Sequence, residues 1–174
     1  MTAENRPLEV VFVCTGNQFR SPFAAAVFAR EAQGQALRVS SCGTAAIEGS
    51  TAFAEAVDLI QELRVDLSRH RSRRLPRLAD ADLVIGFERH HVAAAVVEGE
   101  APRERTFTLP QAVELLEATA EDGPPRERIA AISPESAPGA PEVEDPIGLR
   151  TRRQRAIMAE IDDLATRLAR ALFV

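Results

Sequence analysis

An apolar run, Leu8–Val13, broken only by Glu9, feeds directly into Cys14-Thr15-Gly16-Asn17-Gln18-Phe19-Arg20-Ser21-Pro22. Apolar residues at successive positions, with no polar alternate, indicate a strand buried on both faces, and such strands belong to parallel sheets. Ser21 suits an N-cap, Pro22 the first helical position and Gly34 a stop, so a helix is expected over Ser21–Gln33. A buried strand, a tight loop and a helix in that order constrain the fold more than any other part of the chain.

The same alternation continues. Strands are expected over Leu37–Ser41, Asp82–Phe87 and Arg105–Leu109. Helices are expected over Thr51–Leu63, Arg71–Leu78, Arg89–Val97, Pro110–Thr119 and Leu149–Leu172. Phe53, Ala56, Val57, Ile60 and Leu63 share one helical stripe. Residues 121–146 are rich in Pro, Gly, Ser and Glu and are expected to form an irregular connection. The expected architecture is an α/β three-layer sandwich: a four-stranded parallel sheet in the order 2-1-3-4 with helices on both faces. Ligands of such sheets bind at the carboxyl ends of the strands, where Cys14 sits.

The loop has its own chemistry. A free cysteine is mostly protonated at neutral pH, and a helix N-terminus or a nearby cation favours the nucleophilic thiolate. Both are expected beside Cys14. The N–H groups of Thr15–Arg20 can converge into an anion-binding nest, and Gly16 permits a backbone conformation that bulkier residues resist. Arg20 adds a planar fork that matches two oxygens of a tetrahedral oxyanion. Thr15, Gly16, Asn17, Gln18, Phe19 and Arg20 therefore form the candidate phosphate-binding set around a Cys14 nucleophile.

Composition excludes several classes. The formal net charge of −5 argues against nucleic acid or an anionic membrane as partner. Two cysteines in 174 residues do not make a disulfide framework. No leader-like or membrane-length apolar run is present, so a cytoplasmic single domain over residues 1–174, monomeric or weakly dimeric, is expected. The chain has no Trp, Tyr or Lys, so all its permanent cations are arginines. His90 and His91 are expected on an exposed helix face. No Cys/His/carboxylate group shows metal-ligand spacing, and no cofactor is expected. Arg69, Arg71, Arg73 and Arg74 read as a solvated face or a docking patch for acidic substrates.

The loop resembles that of the low-molecular-weight protein tyrosine phosphatase family, C-x-G-N-x-x-R-S. Ser41-Cys42-Gly43-Thr44, the segment from Asp66 to Arg73, Ala81–Val84 and Val143-Glu144-Asp145-Pro146 resemble further family segments in the same order. The resemblance implies phosphate monoester hydrolysis through a phosphocysteine on Cys14, with a phosphorylated protein or small phosphoester as substrate and no metal. It implies that Arg20 binds the phosphoryl oxygens, that Ser21 donates to the thiolate, and that Asn17 braces the loop with His70 as partner. Asp145, by itself only a residue in a Pro-rich turn, becomes the implied general acid. The departures from the family are Phe19, where many bacterial members carry a second cysteine, Gln18 at a substrate-selecting position, and Ile47 and Ile147 where pocket aromatics are usual. Phe19 or Phe53 is the expected substitute for those rings, and Cys42 the expected partner of Cys14 under oxidation. Two other readings are a thioredoxin-coupled arsenate reductase, which needs more relay cysteines, and an anion-binding module of low turnover.

Overall fold

The computed structural model describes residues 6–119 and 123–173. Four strands, β1 (Leu8–Cys14), β2 (Leu37–Gly43), β3 (Leu83–Gly86) and β4 (Thr106–Thr108), form one sheet in the order β2-β1-β3-β4. All three pairings are parallel: Cys14 lies opposite Gly43, Val13 opposite Cys42 and Gly86, and Gly86 opposite Thr108. Among the described residues, six α-helices connect and cover the sheet: α1 (Arg20–Glu31), α2 (Ala54–Gln61), α3 (Arg89–Val97), α4 (Leu109–Ala118), α5 (Pro125–Ala130) and α6 (Thr151–Phe173).

Pleating sorts the apolar strand residues between two cores. Val10, Phe12 and Cys14 of β1 join Leu83 and Ile85 of β3 under α1, α4 and α6. Val11 and Val13 face the other way, with Cys42, Val84 and Ala95 of α3. Both faces of β1 are thus covered, which is why its sequence is apolar throughout except for Glu9 near its start. The expected three-layer architecture and strand order are observed.

Local expectations fare unevenly. The first helix starts at Arg20, with Phe19 at the N-cap, so Ser21 is not the cap. Arg71–Leu78 is not helical. Its backbone pairs with the end of β2: Gly43 N–H donates to Arg73 O at 3.0 Å and Leu75 N–H to Gly43 O at 2.9 Å. Pro76 would in any case interrupt a helix there. Within 121–146, α5 and a 3₁₀ turn at Pro134–Ser136 replace part of the irregular connection, while residues 121 and 122 lie outside the described residues. Thr108 starts α4 by a capping box, with Gln111 N–H donating to its hydroxyl and its own N–H donating to the Gln111 side chain.

Candidate active site

The loop from Cys14 to Arg20 leaves the carboxyl end of β1 and ends at the first turn of α1. The first N–H groups of a helix have no partner within it, so this turn points unpaired donors at the loop. Pro22, in that first turn, lacks an N–H where none is needed. Cys14 Sγ lies 3.0 Å from Ser21 Oγ and accepts the Asn17 N–H at 3.3 Å. Asn17 Nδ2 donates to the same Ser21 hydroxyl at 2.9 Å. With one lone pair taken, that hydroxyl has its hydrogen to give, and the sulfur is closer than its other neighbour, Cys42 O at 3.4 Å. A buried serine thus becomes a donor aimed at the Cys14 sulfur.

Asn17 is the hub of the loop. It is fully buried and holds a left-handed φ of 53°. Nδ2 also donates to Ser41 Oγ at 2.8 Å, while Oδ1 accepts Arg73 N–H at 2.9 Å. Its carbonyl accepts Ser72 Oγ at 2.7 Å and lies 2.6 Å from His70 Nε2. His70 therefore meets the loop at Asn17, as the family resemblance implies. The left-handed residue is Asn17 and not Gly16, around which a Cβ would find space, its nearest neighbour being Gln18 Oε1 at 3.7 Å. The glycine with no room is Gly43. A Cβ there would stand 2.5 Å from Thr15 O and 2.9 Å from Asn17 N, because the loop lies against the end of β2.

Arg20 is 2% exposed and its guanidinium bonds in three directions. NH1 donates to Val143 O at 2.9 Å and to the Glu88 carboxylate, NH2 lies 3.1 Å from Asp145 Oδ2, and the group sits 5.7 Å from the Phe87 ring centre. Asp145 is brought to Arg20 across 125 positions of sequence (145 − 20), with its other oxygen accepting the Ile147 N–H at 3.0 Å. Glu88 and Val143 hold the arginine without having been legible as site residues. Only the strand-end position of Glu88, just beyond β3, could have signalled it.

His91 corrects the expected exposed face: it is fully buried, while its neighbour His90 is exposed. The N–H groups of Phe87 and Glu88 both donate to His91 Nδ1, so Nε2 carries the proton and donates to Thr15 Oγ1 at 2.9 Å. Burial, then the Arg20 and His90 charges, pull its pKa down to about 3. A neutral histidine thus pins the first loop residue. Glu88, His90 and His91 do form a group of metal-capable side chains, contrary to the sequence expectation. Both His91 nitrogens and the Glu88 carboxylate are already engaged, so no open ligand set results.

Isoleucines stand where the family resemblance implies pocket aromatics. Ile47 is 75% and Ile147 43% exposed. Ile47 sits on the turn whose Thr44 and Ala45 N–H groups donate to Cys14 O and Thr15 O. Phe19 does not replace a pocket ring: it is buried in the core, 6.5 Å from Phe53. Gln18 turns outward and donates to Thr51 O at 3.0 Å. Cys42 cannot partner Cys14, because adjacent register places it on the opposite face of the sheet, beside Val13. Burial pushes its thiol up to about 12, against a smaller opposite pull from Arg73.

This geometry has known counterparts. The profile of the family described as "Low molecular weight phosphotyrosine protein phosphatase" matches residues 9–123. A protein-arginine-phosphatase of Geobacillus stearothermophilus is 30% identical over 168 residues, covering 95% of this chain and 97% of that protein. Low molecular weight protein-tyrosine phosphatase A of Mycobacterium tuberculosis is 34% identical over 90 residues, or 49% of this chain and 55% of the relative. Among solved structures, the arginine phosphatase of G. stearothermophilus superposes with a TM-score of 0.71 at 30% identity, covering 94% of this chain and 92% of that one. The low molecular weight protein tyrosine phosphatase of T. tengcongensis gives 0.69 at 29% identity, covering 92% and 97%. With loop, sheet order and chain-wide similarity in agreement, the chain belongs to the low molecular weight phosphotyrosine protein phosphatase family.

Proposed function

We propose that this chain, as one catalytic domain, removes phosphoryl groups from proteins through a phosphocysteine on Cys14. The carrying observation is the buried chain Asn17–Ser21–Cys14, which supplies two donors to the sulfur, the Ser21 hydroxyl and the Asn17 N–H. The thiolate attacks phosphorus as the bond to the leaving atom breaks. Asp145, protonated at that moment, gives its proton to the leaving atom. Water then attacks the phosphocysteine, Asp145 takes a proton from it, and phosphate and the thiolate are released. Arg20 and the N–H groups of Thr15–Arg20 hold the charge on the phosphoryl oxygens in both steps. Ser21 holds the thiolate, while His70 and Asn17 keep the loop in shape. The family match ends at residue 123, so the role of Asp145 rests on its contact with Arg20.

Exposed Ile47 and Ile147 at the positions where relatives carry pocket aromatics, in a chain without Tyr or Trp, support phosphoarginine over phosphotyrosine. The arginine-phosphatase relatives support the same choice, and the mycobacterial relatives keep phosphotyrosine as the second reading. Arsenate reduction lacks a relay, since Cys42 faces away from Cys14.

The test is hydrolysis of p-nitrophenyl phosphate. Cys14→Ser should reduce turnover to background, and Asp145→Ala should lower kcat by about 10²–10⁴. Wild-type turnover that survives Cys14→Ser would refute the mechanism. Peptides carrying phosphoarginine or phosphotyrosine then rank the two substrates by kcat/KM.

A further inference from the structure

Resting on the protein-phosphatase reading above, we propose that Arg69, Arg71, Arg73 and Arg74 form a recognition rim for acidic side chains flanking the phosphorylated residue of the substrate. These arginines occupy four of six consecutive positions and all four are exposed. Their segment is fastened to the phosphate loop itself, through His70, Ser72 and the Arg73 N–H, all of which meet Asn17. It is also laced to the turn carrying Ile47, since Gly49 N–H donates to Ser72 O and Ser72 N–H to Ser50 O. A peptide entering over Ile47 therefore passes this segment.

The guanidiniums are not consumed by the fold. Arg71 bonds to Ser68 O and His70 O, Arg73 to Ser41 O and Arg74 to Ala46 O, all of them neutral carbonyls. Among the described residues none of the four pairs with a carboxylate. The acids close by are engaged with backbone, Asp66 with the Ser68 N–H and Glu48 with the Arg74 N–H. The arginines around Asp145 and at the start of α3 are placed otherwise. There Glu144 pairs with Arg153, Glu142 with Arg89, and Glu88 and Asp145 with Arg20. There every arginine is matched by a carboxylate, with Arg20 facing two, whereas the Arg69–Arg74 segment keeps its positive charge, in a protein whose net charge is −5. Such a retained charge steers and orders a complementary ligand more than it stabilises the fold.

The experiment uses phosphopeptides of one length, with the phosphorylated residue flanked by Glu, Gln or Arg. Wild type should show kcat/KM about three- to tenfold higher for the Glu-flanked peptide than for the Gln-flanked one, an advantage that shrinks as salt shortens the screening length. The double variant Arg69→Gln/Arg71→Gln should lose that preference while keeping its kcat on p-nitrophenyl phosphate. Equal rates for all peptides, or a preference that survives the double variant, would overturn the rim. Anisotropy binding of the same peptides to the Cys14→Ser protein reads the rim without turnover, so failure of catalysis and failure of the rim are separate outcomes. Binding of the double-arginine surface to anionic phospholipid vesicles, with no peptide preference, would also overturn it.

Discussion

Asn17 carries more of the site than its residue type suggests. Its Nδ2, Oδ1 and carbonyl bond to β2, α1 and the segment after α2, and its left-handed backbone is one that Asn tolerates better than most side chains. Asn17→Gly keeps the backbone and loses the side-chain bonds, whereas Asn17→Ala loses both. We expect Asn17→Ala to destabilise by about 2–4 kcal/mol, with Asn17→Gly milder by about 1 kcal/mol, in urea unfolding. Both should lower kcat/KM on an aryl phosphate at least tenfold, since Ser21 then loses the bond that orients its hydroxyl. The two cysteines should also behave differently. Iodoacetamide near pH 7 should label Cys14 and spare the buried Cys42, whose pKa of about 12 leaves it a thiol. Peptide mapping checks this, and a Cys14–Cys42 disulfide after mild peroxide would contradict the opposite-face register. The residues legible in the sequence were those that chemistry demands directly: Cys14, Arg20 and the loop between them. Glu88, His91 and Val143 were not legible, because each acts on Arg20 or Thr15 from a distant part of the chain and has no local pattern of its own.

At the level of elements, legibility followed burial. β1 and α6 carry long apolar patterns and were placed to within about two residues, the ordinary uncertainty of element ends. Arg71–Leu78 failed because its conformation is set by partners far away, Gly43 and Asn17, and not by its own helix-compatible composition. The same contact makes Gly43 a sharp test. Gly43→Ala places a methyl 2.5 Å from Thr15 O, a backbone atom that moves only if the loop moves. We expect a loss of about 1–3 kcal/mol of stability and a kcat reduced more than tenfold, read by thermal unfolding and steady-state kinetics. At the start of α3, His91 makes a pH prediction. Its pKa is about 3 folded but near the ordinary value of about 6.5 when the chain is unfolded, so between those values the unfolded chain binds the extra proton. Stability should therefore fall as pH drops below about 6.5, by up to about 1.4 kcal/mol per pH unit, and His91→Asn should flatten that slope.

Across the whole molecule, the end of the sheet opposite the site is closed by charge. Asp82, almost fully buried at the head of β3, accepts two bonds each from Arg6 and Arg126 and one from the Glu9 N–H. Burial pushes its carboxyl up, but the Arg126, Glu9 and Arg6 bonds outweigh that and hold it below the ordinary range. Its contribution is present above about pH 4 and is lost as pH falls through that lowered value. Asp82→Asn should cost about 2–4 kcal/mol at neutral pH, or roughly 5–15 °C in Tm, and remove that part of the acid dependence.

β1 runs between this clamp and the phosphate loop, paired on both sides over Val10–Val13 and fastened near each end by Asp82 and by Thr44. Amides in such a strand open only with the whole fold, while those past Val143, in an exposed turn, open locally. Cys14 and Asp145 therefore belong to different clocks. Hydrogen exchange should find the Val10–Val13 amides among the last to exchange and those of Ile147 and Gly148 among the first. In the proposed mechanism a sulfur fixed by the sheet would meet an acid carried on a turn that opens on its own.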